Sequence, residues 1–436
     1  MRFRIVSAIS AVLMTAAVVP AADWPQWRGP NRDGASAETG LLKTWPAGGP
    51  TLLWKVDDAA AVGTGYGSPA VVGDKVFLFG GDGAKKEAKE FCTCLNVKDG
   101  SKVWQTPVTT SGGSFLDMWG GGPRATPTVD GDRLYVLGAM GDLTCLTTAD
   151  GKVQWSKNLI KDLGGVVPAK GPWWGHSESP LVDGDNVVVT PGGKGGVTAL
   201  DKKTGKVTWV CAEVTDDPGY SSVVVADVGG VRQYVQQTAK SAVGVRAKDG
   251  KLLWQAGEIK RATAVIPTPV VADGYAFFTA GYGAGCEAFK LTQDGDGTKA
   301  TKVYSDNHVL ANHHGGVVRV GDYLYGHSDA RGGVNAWVCF DFKKGPDAPA
   351  WKDAGVGKGS VTLADGLLYC FAEKDGTLAL VKPTPEKYEE VSRFAIPAKS
   401  KLRPGQGAIW AHPVVANGKL YLRDYEKLFV FDIAAK

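Results

Sequence analysis

Ala125-Thr-Pro-Thr-Val-Asp-Gly-Asp-Arg-Leu-Tyr-Val-Leu-Gly-Ala-Met-Gly-Asp-Leu-Thr-Cys-Leu-Thr-Thr-Ala-Asp-Gly-Lys-Val-Gln-Trp155 is the stretch that decides the fold. Thr126 to Val129 is a short extended run, closed by the turn chemistry of Asp130-Gly131-Asp132. Arg133 to Leu137 alternates apolar and polar residues, Gly138 to Asp142 turns the chain, and Leu143 to Thr147 forms a third run. Ala149-Asp150-Gly151-Lys152 turns it once more, and Val153-Gln154-Trp155 ends on a large aromatic. Short runs of strand periodicity bounded by Gly and Asp turns predict four strands in one antiparallel unit.

The unit recurs. Large aromatics close successive copies at Trp54, Trp104, Trp155, Trp209, Trp254, Tyr304, Trp351 and Phe394, at intervals of 43 to 54 residues. Ser68-Pro69, Thr126-Pro127, Ser179-Pro180, Thr268-Pro269 and His412-Pro413 are among eight matching first-strand openings. The final turn recurs as Lys98-Asp-Gly-Ser-Lys-Val-Trp104 and Lys203-Thr-Gly-Lys-Val-Thr-Trp209. The last unit, from His412, has only three strands, and Leu52-Leu53-Trp54 is an orphan fourth strand at the start. Docking one on the other leaves no open edge. The expectation is an all-β, eight-bladed β-propeller of four-stranded antiparallel blades with no helical region, closed by pairing the N-terminal strand with the C-terminal blade.

Composition agrees. The chain of 436 residues holds 59 Gly and 14 Trp, as suits tight turns with one large aromatic per unit. The formal net charge is +4, of which Arg2 and Arg4 supply two, and no run of Lys and Arg occurs; nucleic acid is not an expected partner. Residues 1–21 read as an export signal: a charged start, an apolar stretch from Ile5 to Val19, and small residues at Val19-Pro20-Ala21. Residues 22–50 form a Trp-, Pro- and Gly-rich arm, and 51–436 the propeller. No other stretch approaches membrane-spanning length, and no Cys after the cleavage region offers a lipid attachment point. An exported monomer, periplasmic or extracellular, is expected. Of the seven Cys, Cys94, Cys145 and Cys339 share one place in the third strand, where other units carry Ala199, Gly244, Ala288 and Ala379. They read as small core residues rather than as a disulfide framework.

The pattern Ser/Thr-Pro-x-Val-x-x-Gly-Asp-x-x-Tyr, then Ala/Cys-Leu-Asp, then Thr-Gly-Lys-x-x-Trp resembles the pyrroloquinoline-quinone (PQQ) repeat family over nearly the whole mature chain. The resemblance implies a propeller of the kind found in quinoprotein dehydrogenases and in non-enzymatic relatives such as the outer-membrane assembly factor BamB. Trp24-Pro-Gln-Trp-Arg-Gly-Pro30 resembles the opening of exported bacterial PQQ-repeat proteins.

Up-and-down strands put the blade connections and the second-to-third-strand loops on one face. All six His fall there, with Trp119, Trp173 and Tyr220. Tyr66, Arg124, His176, Glu178, His314, Lys358 and His412 sit at or just before innermost strands, so these side chains are expected to ring the channel mouth with Trp174 and Trp410. The long insertions 106–124 and 156–178 are placed to cover it. The leading function is a binding or scaffold module that takes a protein or glycan partner through this face. The alternative is a PQQ-dependent quinoprotein alcohol dehydrogenase with Ca2+, acting on a small-molecule alcohol. For that chemistry Arg124 offers a cation, Trp174 or Trp410 a stacking surface, and Glu178 with Asn312 two oxygen ligands, short of a full Ca2+ set. The catalytic carboxylate and adjacent Cys pair that the resemblance implies for PQQ alcohol dehydrogenases have no identifiable counterpart. His313 and His314, as neighbours on a strand, are expected to face opposite ways. His176 and Glu178, at i and i+2, are expected to share a face. A hydrogen-bonded polar ring is favoured there over a metal site, and no metal is assigned.

Overall fold

A computed structural model of the chain describes residues 22–83, 89–108, 119–168, 174–257 and 263–435. The expected export signal, Trp173 and the middle of each long insertion lie outside these residues. Eight antiparallel sheets follow one another as the blades of a propeller, at 70–107, 128–158, 181–211, 224–256, 270–306, 317–353 and 359–395, with the eighth built from 414–432 and 51–56. The quoted stretch is blade two, with strands Thr128–Asp130, Arg133–Leu137, Asp142–Thr147 and Val153–Asn158. Its first three strands are almost wholly buried, whereas the fourth is largely open to solvent. Short departures from the all-strand expectation include the 3-10 turn Gly193–Gly195 and the α-helical turn Ala59–Val62, the latter capped by the Asp58 carboxylate accepting from the Ala60 N–H at 2.8 Å.

Register explains the small residue in the third strand. Trp155 stands directly across from Cys145, Trp104 from Cys94, Trp209 from Ala199 and Trp254 from Gly244. A large ring needs a small cross-strand neighbour, so Cys, Ala and Gly interchange there. All seven cysteines are free and buried. One extra residue, Gln154 in blade two, bulges the fourth strand just before the aromatic. Bulges re-aim side chains, and here the ring is turned onto the next blade. The indole of Trp104 donates to the Thr148 carbonyl at 3.1 Å, and that of Trp155 to the Lys202 carbonyl at 3.1 Å. Each ring also covers the glycine of that blade's last turn. Gly151 has φ 70°, and a Cβ there would lie 2.4 Å from the Trp104 ring. Gly151→Ala combines left-handed strain with overpacking and is expected to cost about 2–4 kcal/mol. Urea unfolding measures it, and a loss within experimental error would show that the blade junction is not packed this way.

The ring closes as expected: Thr51–Val56 pairs antiparallel with Lys427–Asp432. The arm adds a second closure. Trp24 bridges Val71 of blade one, and the Pro25 carbonyl accepts from Val129 N–H of blade two at 2.8 Å. Arg32 donates to the Ser179 and Pro180 carbonyls at blade three, and Arg28 to the Val317 carbonyl at blade six. Ala35 pairs in parallel with Leu363 of blade seven. These partners all lie on or beside innermost strands, so the arm plugs the central channel. Both arginines are buried, Arg28 at 3% and Arg32 at 2% exposure, and their donors satisfy backbone carbonyls that the plug would otherwise strand. Around the axis, His412 N–H donates to Ser68 Oγ, Ser68 N–H to Thr126 Oγ1, Thr126 N–H to Ser179 Oγ, and Ser179 N–H to Ser222 Oγ. The Ser/Thr of the repeat is therefore an inter-blade fastener.

Candidate functional site

Above the plug the channel opens into a cavity with about 820 Å3 of empty space, the open solvent at its mouth included. The floor is Trp27 of the arm, whose indole donates to Thr268 Oγ1 at 2.8 Å and whose ring lies 4.6 Å from that of His412. Tyr66, Trp119, Arg124 and Trp174 form one side of the lining, and Tyr282, His313, His314 and Trp410 belong to it as well. Trp410 stacks on His314 at 4.4 Å and 19°. Ser177, Ser179, Tyr220 and Ser222 contribute hydroxyls. No Asp or Glu is among the described lining residues.

Five of the residues expected at the channel mouth, Tyr66, Arg124, Trp174, His314 and Trp410, thus meet on one cavity. Two others stand immediately behind it. The His412 imidazole donates through Nε2 to the His314 carbonyl at 2.9 Å, which places its proton on Nε2. Lys358 Nζ donates to Asp329 Oδ2 at 2.7 Å and to His313 Nδ1 at 2.8 Å. An ammonium has no lone pair, so His313 carries its own proton on Nε2.

His176 and Glu178 are not brought into the cavity. The segment is extended, and Ser177 and Ser179 take the inward positions, so His176 and Glu178 share the opposite face. Glu178 accepts from Thr190 N–H at 2.7 Å and Thr190 Oγ1 at 3.1 Å, and burial pushes its carboxyl up to about 7. His176 is buried against Gly141, its backbone N–H donating to the Ala139 carbonyl, and desolvation holds its imidazole down to about 4. The two-residue spacing was legible from sequence; which face it lay on was not. His313 and His314 depart from expectation in the other direction. They lie in an irregular connection that bends from His314 rather than in a strand, and both rings line the cavity with centroids 3.7 Å apart. Burial, then the neighbouring positive charge of Lys358, holds His313 down to about 3; His314 lies well below its ordinary value for the same first cause.

Arg124 reaches only backbone oxygens among the described residues: the Gly122 and Trp174 carbonyls at 3.3 Å and the Gly120 carbonyl at 3.2 Å. Its guanidinium lies 5.3 Å from the Tyr66 ring centroid. Two aromatic contributors were not foreseen as lining. Trp27 arrives from the arm, far away in sequence. Tyr282 sits in the loop after a second strand with a left-handed φ of 58°, and its placement between Gly281 and Gly283 was the available signal. Asn312, considered above as an oxygen ligand, is committed to the loop: its amide donates to the Gly316 and His327 carbonyls and accepts from Gly316 N–H. Among the described residues, no three His, Cys, Asp or Glu side chains group to hold a metal ion. No helix among them is long and apolar enough to cross a membrane.

Comparison with known proteins adds a family to this geometry. The sequence model of a family described as outer membrane protein assembly factor BamB matches residues 88–352, more than half of the chain. The outer membrane protein assembly factor BamB of Yersinia pestis is 27% identical over 252 residues, which are 52% of this chain and 55% of that protein. The chain thus spans about half the length of this curated relative. Among solved structures, BamB from Moraxella catarrhalis superposes with a TM-score of 0.58 at 15% identity, covering 88% of this chain and 98% of its own. Quinohemoprotein alcohol dehydrogenase from Comamonas testosteroni gives 0.64 at 12% identity, covering 95% and 81%. At these identities the structural likeness shows the propeller fold alone. The repeat pattern, the eight closed blades and the family match agree: the chain belongs to the PQQ-repeat propeller family described as outer membrane protein assembly factor BamB.

Proposed function

We propose that this protein is an exported binding module that holds its ligand in the channel-mouth cavity, with residues 1–21 as its leader, 22–50 as a plug and 51–436 as the propeller. The observation that carries this reading is the cavity wall itself: a concave, mainly aromatic surface broken by a few polar groups that the fold leaves unpaired. Ser177 Oγ, Tyr220 OH, His313 Nε2 and His314 Nδ1 are buried without a hydrogen-bond partner among the described residues. Unpaired buried donors and acceptors are costly, and a bound ligand would satisfy them. The name of the family's relatives, an assembly factor, supports the same class, a propeller that holds a protein or glycan partner and turns nothing over.

The quinoprotein alternative fits this cavity poorly. Ca2+ requires six to eight oxygen ligands with carboxylates among them, whereas no carboxylate is among the described lining residues, Glu178 faces elsewhere and Asn312 is spent on its loop. Four lining Trp make indole emission a direct reporter. A panel of saccharides and short peptides is expected to contain ligands that shift it, and Trp410→Ala to weaken such a ligand about tenfold through lost stacking. PQQ with Ca2+ is expected to leave the emission unchanged. Stoichiometric, Ca2+-dependent PQQ uptake with dye-linked alcohol oxidation would overturn this reading in favour of the enzyme.

A further inference from the structure

The polarity of the cavity is one-sided. Arg124 brings a guanidinium that makes no ion pair with any described residue, held only by three long bonds to carbonyls. Its charge is felt across the cavity: His314 is held well below its ordinary value by burial first, then by positive neighbours that include Arg124. Lys358, by donating to Nδ1 of His313, leaves the Nε2–H of that ring as a further donor without a partner. Among the described residues, the hydroxyls of Ser177 and Tyr220 are unpartnered as well. Ser179 and Ser222 each accept from a backbone N–H, which leaves the hydroxyl proton of each to donate. Among the described residues that line this array, none is a carboxylate. A site rich in donors, with a cation that no described wall residue pairs, selects a ligand rich in acceptors and carrying negative charge.

The shape of the lining narrows the class further. The His314–Trp410 stack and the Trp27 floor offer flat aromatic surface, while the Ser177, Ser179, Tyr220 and Ser222 hydroxyls are grouped at the openings of blades three and four. An occupant that satisfies both has an apolar ring face, hydroxyls along its edge and one anionic group. Resting on the reading that the cavity is the ligand site, we propose that it binds an acidic sugar, a pyranose ring bearing a carboxylate, with the carboxylate on Arg124 and the ring face on the aromatic wall.

Isothermal titration of the purified protein at neutral pH with D-glucuronate, D-glucose and benzoate separates the components. Glucuronate is expected to bind at least about tenfold more tightly than either comparator, since glucose lacks the charge-assisted bonds and benzoate the hydroxyl bonds. Arg124→Gln is expected to erase the preference over glucose. Lys358→Met, which frees the His313 tautomer, is expected to weaken glucuronate several-fold with the unfolding temperature recorded alongside. The contrast among the three probes on the unmodified protein stands even where a variant fails to fold. Equal affinity for glucose and glucuronate would overturn the anionic site while leaving a sugar cavity intact. Tighter binding of benzoate would overturn the sugar assignment and keep the anion site. Absence of binding by all three, with indole emission still responding to other members of the wider panel, would overturn the acidic-sugar proposal alone; silence of that panel too would sink the cavity reading with it.

Discussion

Between pH 6.5 and pH 4 the protein is expected to lose stability steeply, by about 4 kcal/mol for each pH unit at most. Five histidines are held neutral by burial: His176 and His327 at about 4, His313 and His412 at about 3, and His314 well below its ordinary value. In the unfolded chain each takes up a proton below its ordinary value of 6.5. Within that window the unfolded chain therefore binds more protons than the folded one. A depressed folded value gives stability that is complete above 6.5 and is lost as pH falls toward the folded value, about 1.4 kcal/mol per pH unit for each fully titrating histidine. Glu178 acts in the opposite sense. Its carboxyl is raised by burial from 4.5 to about 7, so its contribution is complete below 4.5 and fades as pH rises through 7. Glu373, also raised by burial, offsets part of the loss in the same way. About three protons remain on balance. Against a typical stability of about 5–15 kcal/mol, the fold is expected to collapse well above the range where surface carboxylates titrate. Urea midpoints at pH 7, 6 and 5 measure the slope, and His176→Leu is expected to reduce it by one proton. A flat profile from pH 7 to 5 would mean that these rings are hydrated in the folded protein.

Arg423→Met is expected to destabilise the fold by about 3–5 kcal/mol and to loosen the seam between the first and last blades. Arg423 is 1% exposed. Its guanidinium donates to the Gly67 carbonyl at 2.7 Å, the Phe79 carbonyl at 3.0 Å and the Gly63 carbonyl at 3.1 Å, and its Nε to the Tyr425 carbonyl at 2.9 Å. Three of these acceptors stand 344 to 360 positions away in the chain, so one side chain joins the two ends of the ring. Methionine fills much of the volume but strands the carbonyls, each a group that must be satisfied when buried. Urea unfolding gives the magnitude, and hydrogen exchange in Thr51–Val56 and Lys427–Asp432 reports where the loss falls. A change below about 1 kcal/mol would show that water replaces the guanidinium freely.

The sequence offered no sign of Arg423. Its turn, Arg423-Asp-Tyr-Glu426, reads as a generic polar connection. The cavity was half legible for a related reason. Residues before each inner strand could be placed at the channel mouth because strand count and direction follow from the repeat. Which of two neighbours faces inward could not, because a period of two turns every side chain over when the register moves by one. His176 and Glu178 went outward by that step, with Ser177 and Ser179 inward, whereas the irregular connection at His313 and His314 removed the alternation and let both rings in.

The sequence by itself determined the blade. Its period, its Gly-Asp turns, its closing aromatics and the orphan strand at Leu52–Trp54 specify eight four-stranded sheets and their closure, because each of these features acts between residues near in sequence or recurs from unit to unit. Only the tertiary structure decided what the middle of the ring contains. Trp27 becomes the floor of the cavity through a hydrogen bond to Thr268, 241 residues away, Lys358 sets the proton of His313, and Arg124 is left without an ion pair among the described residues. Those properties arise where eight blades converge on one axis, and no local pattern encodes a meeting of eight.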